Sequence, residues 1–168
     1  DNPGHIIPLP WSVRIAIERF RDDINPGDVI LINDPYSGGT HLNDVAVICP
    51  VFVGGRLLLF PAIRAHWADV GGMTPGSLSG TSTEIFQEGV RIPPIKIYDA
   101  GRRNEEAFRI IRRNTRVPEM LEADLDSEIE AIRMGARRME ELFRRFGAET
   151  VEACFQAILD KCRDIYAN

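Results

Sequence analysis

Apolar and polar positions divide the 168-residue chain into a strand-and-loop half and a helical half. Trp11 to Arg21 carries Val13, Ala16, Ile17 and Phe20 on one stripe, which predicts a short amphipathic helix. Asn25-Pro26-Gly27-Asp28 marks a turn. Val29-Ile30-Leu31-Ile32 is a fully apolar strand that runs into a polar, glycine-rich loop, Asn33 to Thr40. Val45 to Val53 and Arg56 to Ala65 predict two more strands, and Gly54-Gly55 between them suits a two-residue hairpin turn. Neither strand alternates cleanly, so cover on both faces is expected. Pro50 and Pro61 point to edges or bulges. Residues 70–90 are polar and glycine-rich, and Thr81-Ser82-Thr83-Glu84 fits a capping box opening one helical turn. Ile92 to Ile97 is expected to be extended, because Pro93 and Pro94 remove donors and restrict their predecessors.

From Asn104 the pattern turns helical. Asn104 is the expected N-cap, with Glu105 and Glu106 at the positive end of the helix dipole. After Pro118, Leu121, Leu125, Ile129, Ile132, Ala136, Met139, Phe143 and Phe146 recur at helical spacing, and Gly147 ends the run. Val151, Cys154, Phe155, Ile158, Cys162, Ile165 and Tyr166 mark a last helix, expected to pair antiparallel with the one before. The fold class predicted is α+β. A β-hairpin and mixed-sheet region with long polar loops spans residues 1–100 and holds the metal and substrate site, and a helical region spans 101–168. The two form one continuous but incomplete domain. The missing initiator Met and the helical end suggest a piece of a larger chain.

Composition narrows the function classes. With 44% hydrophobic and 27% charged residues the chain is an ordinary globular protein, and a net charge of -5 gives no general attraction to nucleic acid or anionic membrane. No apolar run reaches the ~20 residues of a bilayer span. Cys49, Cys154 and Cys162 form no disulfide framework; each sits among apolar residues and is expected to be buried, in a reducing cytoplasm. The charges of the helical half are nearly balanced and read as a solvated face.

The candidate chemistry lies in two clusters, His41-Leu42-Asn43-Asp44 and His66-Trp67-Ala68-Asp69, which the hairpin folds onto each other. If Gly54-Gly55 is the whole loop, Asn43 faces His66, His41 lies one diagonal step away, and Asp44 points to the other face. A three-residue loop with a bulge shifts the register by one and sets Asp44 opposite His66. Either register brings the clusters together. Two His and a carboxylate suit Zn²⁺, Mn²⁺ or Fe²⁺ and leave positions open for water or substrate. Asp69 and Asp34 are candidates to orient a ligating His or to add a fourth ligand. Glu84 and Glu88 are candidate general bases, against the plainer reading of solvated residues, one of them a helix cap. The loop Gly71 to Ser77 offers backbone N–H groups for an anion or carbonyl oxygen, against the plainer reading of a surface turn. His5 is either structural or a further site residue. No phosphate loop or dinucleotide fingerprint is present, so ATP, if used, binds elsewhere.

These residues also carry a family resemblance. Asn33-Asp34-Pro35-Tyr36, Gly38-Gly39-Thr40-His41-Leu42 and Asp44 resemble the signature of the hydantoinase B/oxoprolinase family, to which subunits of acetone and acetophenone carboxylase also belong. Arg64 to Gly72 is similar to its second block. Thr74-Pro75-Gly76-Ser77 and Thr83 to Pro94 are similar to its third, and Asn114, Arg116 and Val117-Pro118-Glu119 continue the likeness. The resemblance implies a hetero-oligomer in which a hydantoinase A-type subunit binds ATP with Mg²⁺ and phosphorylates a carbonyl. Some members then open a cyclic amide with water (hydantoins, 5-oxoproline, lactams), and others carboxylate a ketone. It implies a metal at His41, Asp44 and His66, with further ligands upstream of Asp1. Asp69, Asp34 and Glu88 are the expected catalytic residues. Many members have two adjacent His where this chain has His66-Trp67, so the indole is expected to reshape the substrate pocket. Three readings follow: a metal-bearing piece of an ATP-dependent cyclic-amide hydrolase; the same subunit of a ketone carboxylase, with its metal stabilising an enolate or binding the carboxyl donor; and a non-catalytic assembly module.

Overall fold

The computed structural model describes residues 7–166, so His5 lies outside the described residues. The first helix, α1 (Leu9–Phe20), begins two residues earlier than its apolar stripe suggests, because Pro10 is tolerated in the first turn, where its missing N–H costs nothing. The turn at Asn25–Asp28 forms as expected, closed by Asp28 N–H to the Asn25 carbonyl at 3.1 Å.

The apolar run Val29–Ile32 is strand β1, buried at all four positions. The predicted hairpin exists but is broken into β2 (Asp44–Ile48), β3 (Val51–Val53), β4 (Arg56–Leu59) and β5 (Ala62–His66). The breaks fall at Pro50 and Pro61, which have no N–H to give to the ladder. With β6 (Ile95–Asp99) and β7 (Arg102–Arg103), a five-stranded antiparallel sheet forms in the order β5-β2-β1-β6-β7, while β3 and β4 make a separate two-stranded ribbon.

Both sheet faces are covered, as the unbroken apolar strands imply. One face carries Ile30, Ile32, Ala46 and Ile48 against Ala16 of α1. The other carries Val29, Leu31, Val45, Val47 and Ile97 against the helices that follow. Those helices are α2 (Glu105–Arg113), α3 (Pro118–Phe146) and α4 (Ala148–Tyr166). Asn104 caps α2, its side chain accepting from Ala107 N–H. Leu121, Leu125, Ile129 and Ile132 of α3 supply the main core stripe. Burying such a Leu or Ile side chain contributes about 2 kcal/mol.

Two expectations about the helical end are corrected. Only Gly147 joins α3 to α4, too short for the 2–5-residue loop of a tight antiparallel pair. Val151 packs, but Phe155, Ile158, Leu159 and Ile165 stay exposed. For the same reason Cys154 and Cys162 are exposed, and only Cys49 is buried. Burial pushes the Cys49 thiol up to about 11, so it stays protonated and inert. Among the described residues no helix is long and apolar enough to cross a membrane.

Candidate metal centre

The hairpin register decides the site. At the turn, Val53 pairs with Arg56 and Phe52 with Leu57, as a two-residue Gly54-Gly55 loop requires. Val51 then pairs with Leu59, leaving Leu58 as the extra residue of a bulge. That single slip carries through to β2 and β5, where Asp44 lies directly opposite His66. Of the two registers compatible with the sequence, the bulged one forms, and the bulge sits within the ribbon rather than in a lengthened loop.

His41 arrives by a local turn. Asp44 N–H donates to the His41 carbonyl at 3.0 Å, which folds the imidazole back over the start of β2. His41 Nδ1 lies 3.3 Å from Asp44 Oδ2, and the two imidazole rings are 5.0 Å apart between centroids. The Thr40 hydroxyl donates to the same Asp44 oxygen at 2.6 Å. Asp44 is buried, His41 partly exposed and His66 exposed. One ligand atom from each of His41, Asp44 and His66 lies within 4.8 Å of the others. Bonds of about 2.1 Å at tetrahedral angles set donors about 3.4 Å apart, so a small inward adjustment of the exposed imidazole completes the site. The donor set therefore fits a divalent ion: two neutral imidazoles and a carboxylate, with the solvent side open.

Asn43 locks the two clusters together. Its carbonyl accepts Trp67 N–H at 2.8 Å, and its Nδ2 donates to the carbonyls of Trp67 and Gly76 at 2.9 and 3.2 Å. Asn33 does similar work one strand over. It is fully buried, donates to the Leu42 and Val90 carbonyls, and accepts Ile92 N–H at 2.6 Å. Nothing in the spacing of Asn33 or Asn43 marks either as a three-way backbone clamp.

The other acidic candidates are not members of the His-Asp-His cluster. Asp69 is a loop organiser. Its carboxylate accepts from Gly71 and Gly76 N–H and from the backbone and guanidinium of Arg116. Burial opposes its ionisation, but the Arg116 bonds and the two glycine amides outweigh that and hold the carboxyl below its usual range. Asp34 caps a single 3₁₀ turn at Pro35–Ser37, accepting from Tyr36 N–H and the Ser37 hydroxyl. Glu88 is half-buried just after the 3₁₀ turn Ile85–Gln87. The cap of that turn is Glu84, three residues later than expected from Thr81, and Gln87 Oε1 gathers the amides of Thr83 and Glu84.

The loop Gly71–Ser77 is not a free anion cradle. Asp69 takes the amides of Gly71 and Gly76, Ser77 Oγ takes those of Val70 and Gly72, and the Gln87 carbonyl takes that of Met73. Nor does Trp67 reach the open side of the site. Strand alternation carries on past His66 and turns the indole through the sheet into the core, where it is buried. Its Nε1–H donates to Glu128 of α3 at 2.9 Å. Glu128 was unmarked in the sequence, lying in a charge-rich helix. Burial pushes its carboxyl up to about 7, against the lowering effect of the Trp67 bond.

The whole chain, residues 1–168, matches the family described as hydantoinase B/oxoprolinase. The caprolactamase subunit beta of Pseudomonas jessenii is 34% identical over 160 residues, covering 95% of this chain and 28% of that subunit. The 5-oxoprolinase 1 of Arabidopsis thaliana is 34% identical over 163 residues, covering 90% of this chain and 13% of that protein. The crystal structure of the ATP-dependent caprolactamase from Pseudomonas jessenii superposes with a TM-score of 0.85 at 34% identity, over 92% of this chain and 26% of that one. The chain thus spans less than a third of the length of these relatives.

Proposed function

The chain belongs to the hydantoinase B/oxoprolinase family, and from that membership and the site geometry we propose that it is the metal-bearing part of an ATP-dependent cyclic-amide hydrolase. The observation that carries this is the meeting of His41, Asp44 and His66 at one end of the sheet, with ligand atoms within 4.8 Å. Mn²⁺ or Zn²⁺ suits the donor set, with Fe²⁺ as a further option. Such an ion, when bound, polarises a carbonyl or lowers the pKa of water.

The chain's own residues do the rest. The buried Asp44 carboxylate is held in one rotamer by Thr40, and His41 by its turn. His66 stands on the open side, where substrate enters. Asp69 and Asp34 act by shaping the loops around the centre. ATP is bound by a hydantoinase A-type partner subunit, which supplies the phosphoryl group that activates the amide carbonyl. The pair works in the cytoplasm, where the exposed thiols of Cys154 and Cys162 stay reduced.

The test is an assay of the complete subunit with its ATP-binding partner, offered a lactam, a hydantoin and 5-oxoproline. ATP-dependent ring opening that needs no bicarbonate is expected. ATP turnover that requires bicarbonate and a ketone would replace this proposal with carboxylation. Equal turnover with and without the metal-bearing subunit would reduce it to an assembly module.

A further inference from the structure

We propose that Arg64 is the positioning residue of this centre: its guanidinium ties the strand that carries His66 to the loop that carries His41. Its purpose rests on the metal reading above, but the brace itself is a property of the metal-free fold.

Alternate residues of a strand share a face. Arg64 and His66 therefore lie on the same side of β5, opposite Ala46 and Asp44 of β2. This is the face that α1 covers through Ala16. Arg64 Nη2 donates to Ser12 Oγ of α1 at 2.6 Å and to the Gly38 carbonyl at 3.3 Å, and Ser12 Oγ donates to the same carbonyl at 2.6 Å. Three hydrogen bonds thus close a ring joining β5, α1 and the glycine-rich loop. Ser12 has 0% exposure, so water does not compete for it.

The loop has no slack at this point. Gly38 takes φ +86°, and a Cβ there would stand 2.9 Å from both Ser12 N and Trp11 C. Three residues on comes His41, and between them Thr40 bonds Asp44. The segment from Gly38 to Asp44 is therefore held at both ends, at Gly38 by the ring and at Asp44 by β2. Without the ring, the Gly38-Gly39 end of this segment keeps only the Gly39 N–H bond to the Asp34 carbonyl at 2.9 Å, with two adjacent glycines to loosen it. The choice of Arg is not one of packing. Its Nε and Nη1 are buried with no hydrogen-bond partner, a cost that an apolar side chain in the same place would not bear.

The experiment uses the complete protein with Arg64→Met, Arg64→Lys and Ser12→Ala, and His41→Ala as the ligand control. Amide hydrogen exchange is followed in the metal-free proteins, and Mn²⁺ affinity by equilibrium dialysis with EPR detection. Arg64→Met is expected to speed exchange across residues 38–44 by about tenfold or more while β1 and α3 keep their protection. It is also expected to weaken Mn²⁺ binding about 10- to 100-fold. Arg64→Lys, which can still donate to Ser12 and Gly38, should recover part of both. Unchanged exchange across 38–44, or a rise shared equally by β1, would overturn the brace. If the wild-type protein binds no Mn²⁺, the metal reading fails and the exchange result alone decides the brace. Should Arg64→Met not fold, Ser12→Ala opens the same ring and is read in the same way.

Discussion

Asp44 and His66 are direct cross-strand partners, and they are so because Leu58, out in the β3–β4 ribbon, is one residue too many for its ladder. Without that bulge Asn43 would face His66, and the Asp44 carboxylate would lie on the opposite face of the sheet from the His66 imidazole. A site residue's orientation is set here by a bulge seven or more residues away along the strand.

The trio should act as a unit toward metal. His41→Ala, His66→Ala and Asp44→Asn in the complete protein are each expected to lower bound divalent metal at least about tenfold. Elemental analysis after dialysis checks this, and unchanged content in both His variants would remove the site.

Glu128 should make the fold lose stability as pH rises from the acid range to neutrality. Its folded pKa is raised to about 7, so the folded state favours the protonated acid. The stability this contributes is full below the unfolded pKa, is lost progressively as pH climbs toward about 7, and is gone above it. The span corresponds to a loss on the order of 3 kcal/mol. Urea midpoints at pH 5 and pH 8 should differ in the wild type and converge in Glu128→Gln, which keeps an acceptor for Trp67 without the charge.

Arg116→Met should destabilise the protein by about 1–2 kcal/mol, because it removes the half-exposed guanidinium from the buried Asp69 carboxylate while the backbone amides around it remain. The sign with pH is opposite to that of Glu128. Asp69 is held below its usual range, so its contribution is present at neutral pH and lost as pH falls through the folded pKa. The gap between variant and wild type in urea denaturation should therefore narrow in acid.

Asn33→Ala should cost at least about 2 kcal/mol by the same measurement, since Ile92 N–H and the Leu42 and Val90 carbonyls lose a buried partner together. Asn33→Asp should not rescue it, because a carboxylate cannot donate to the two carbonyls.

Much of this was legible in one dimension. The apolar run Val29–Ile32, the Gly54-Gly55 turn, the Asn104 cap and the long stripe of α3 are local signals of period, turn chemistry and capping, and each formed where its residues place it. The meeting of His41, Asp44 and His66 was legible too, because a hairpin between the two clusters brings them to the same end of the sheet in either register. Less local features were hidden. The fates of Trp67 and Glu128 depend on a contact 61 residues apart in the chain. The Gly71–Ser77 amides looked available until Asp69, Ser77 and Gln87 claimed them.

The sequence by itself determined which residues can ligate a metal and which stretches become strands, since those depend on side-chain chemistry and on neighbours in the chain. Only the tertiary structure decided that Asp44 faces His66, that Arg64 reaches Ser12 and Gly38, and that Trp67 turns into the core. Register, packing face and hydrogen-bond partner are set by energies summed over residues distant in sequence, and a single bulge at Leu58 is enough to choose between two pairings that the chain alone leaves equal.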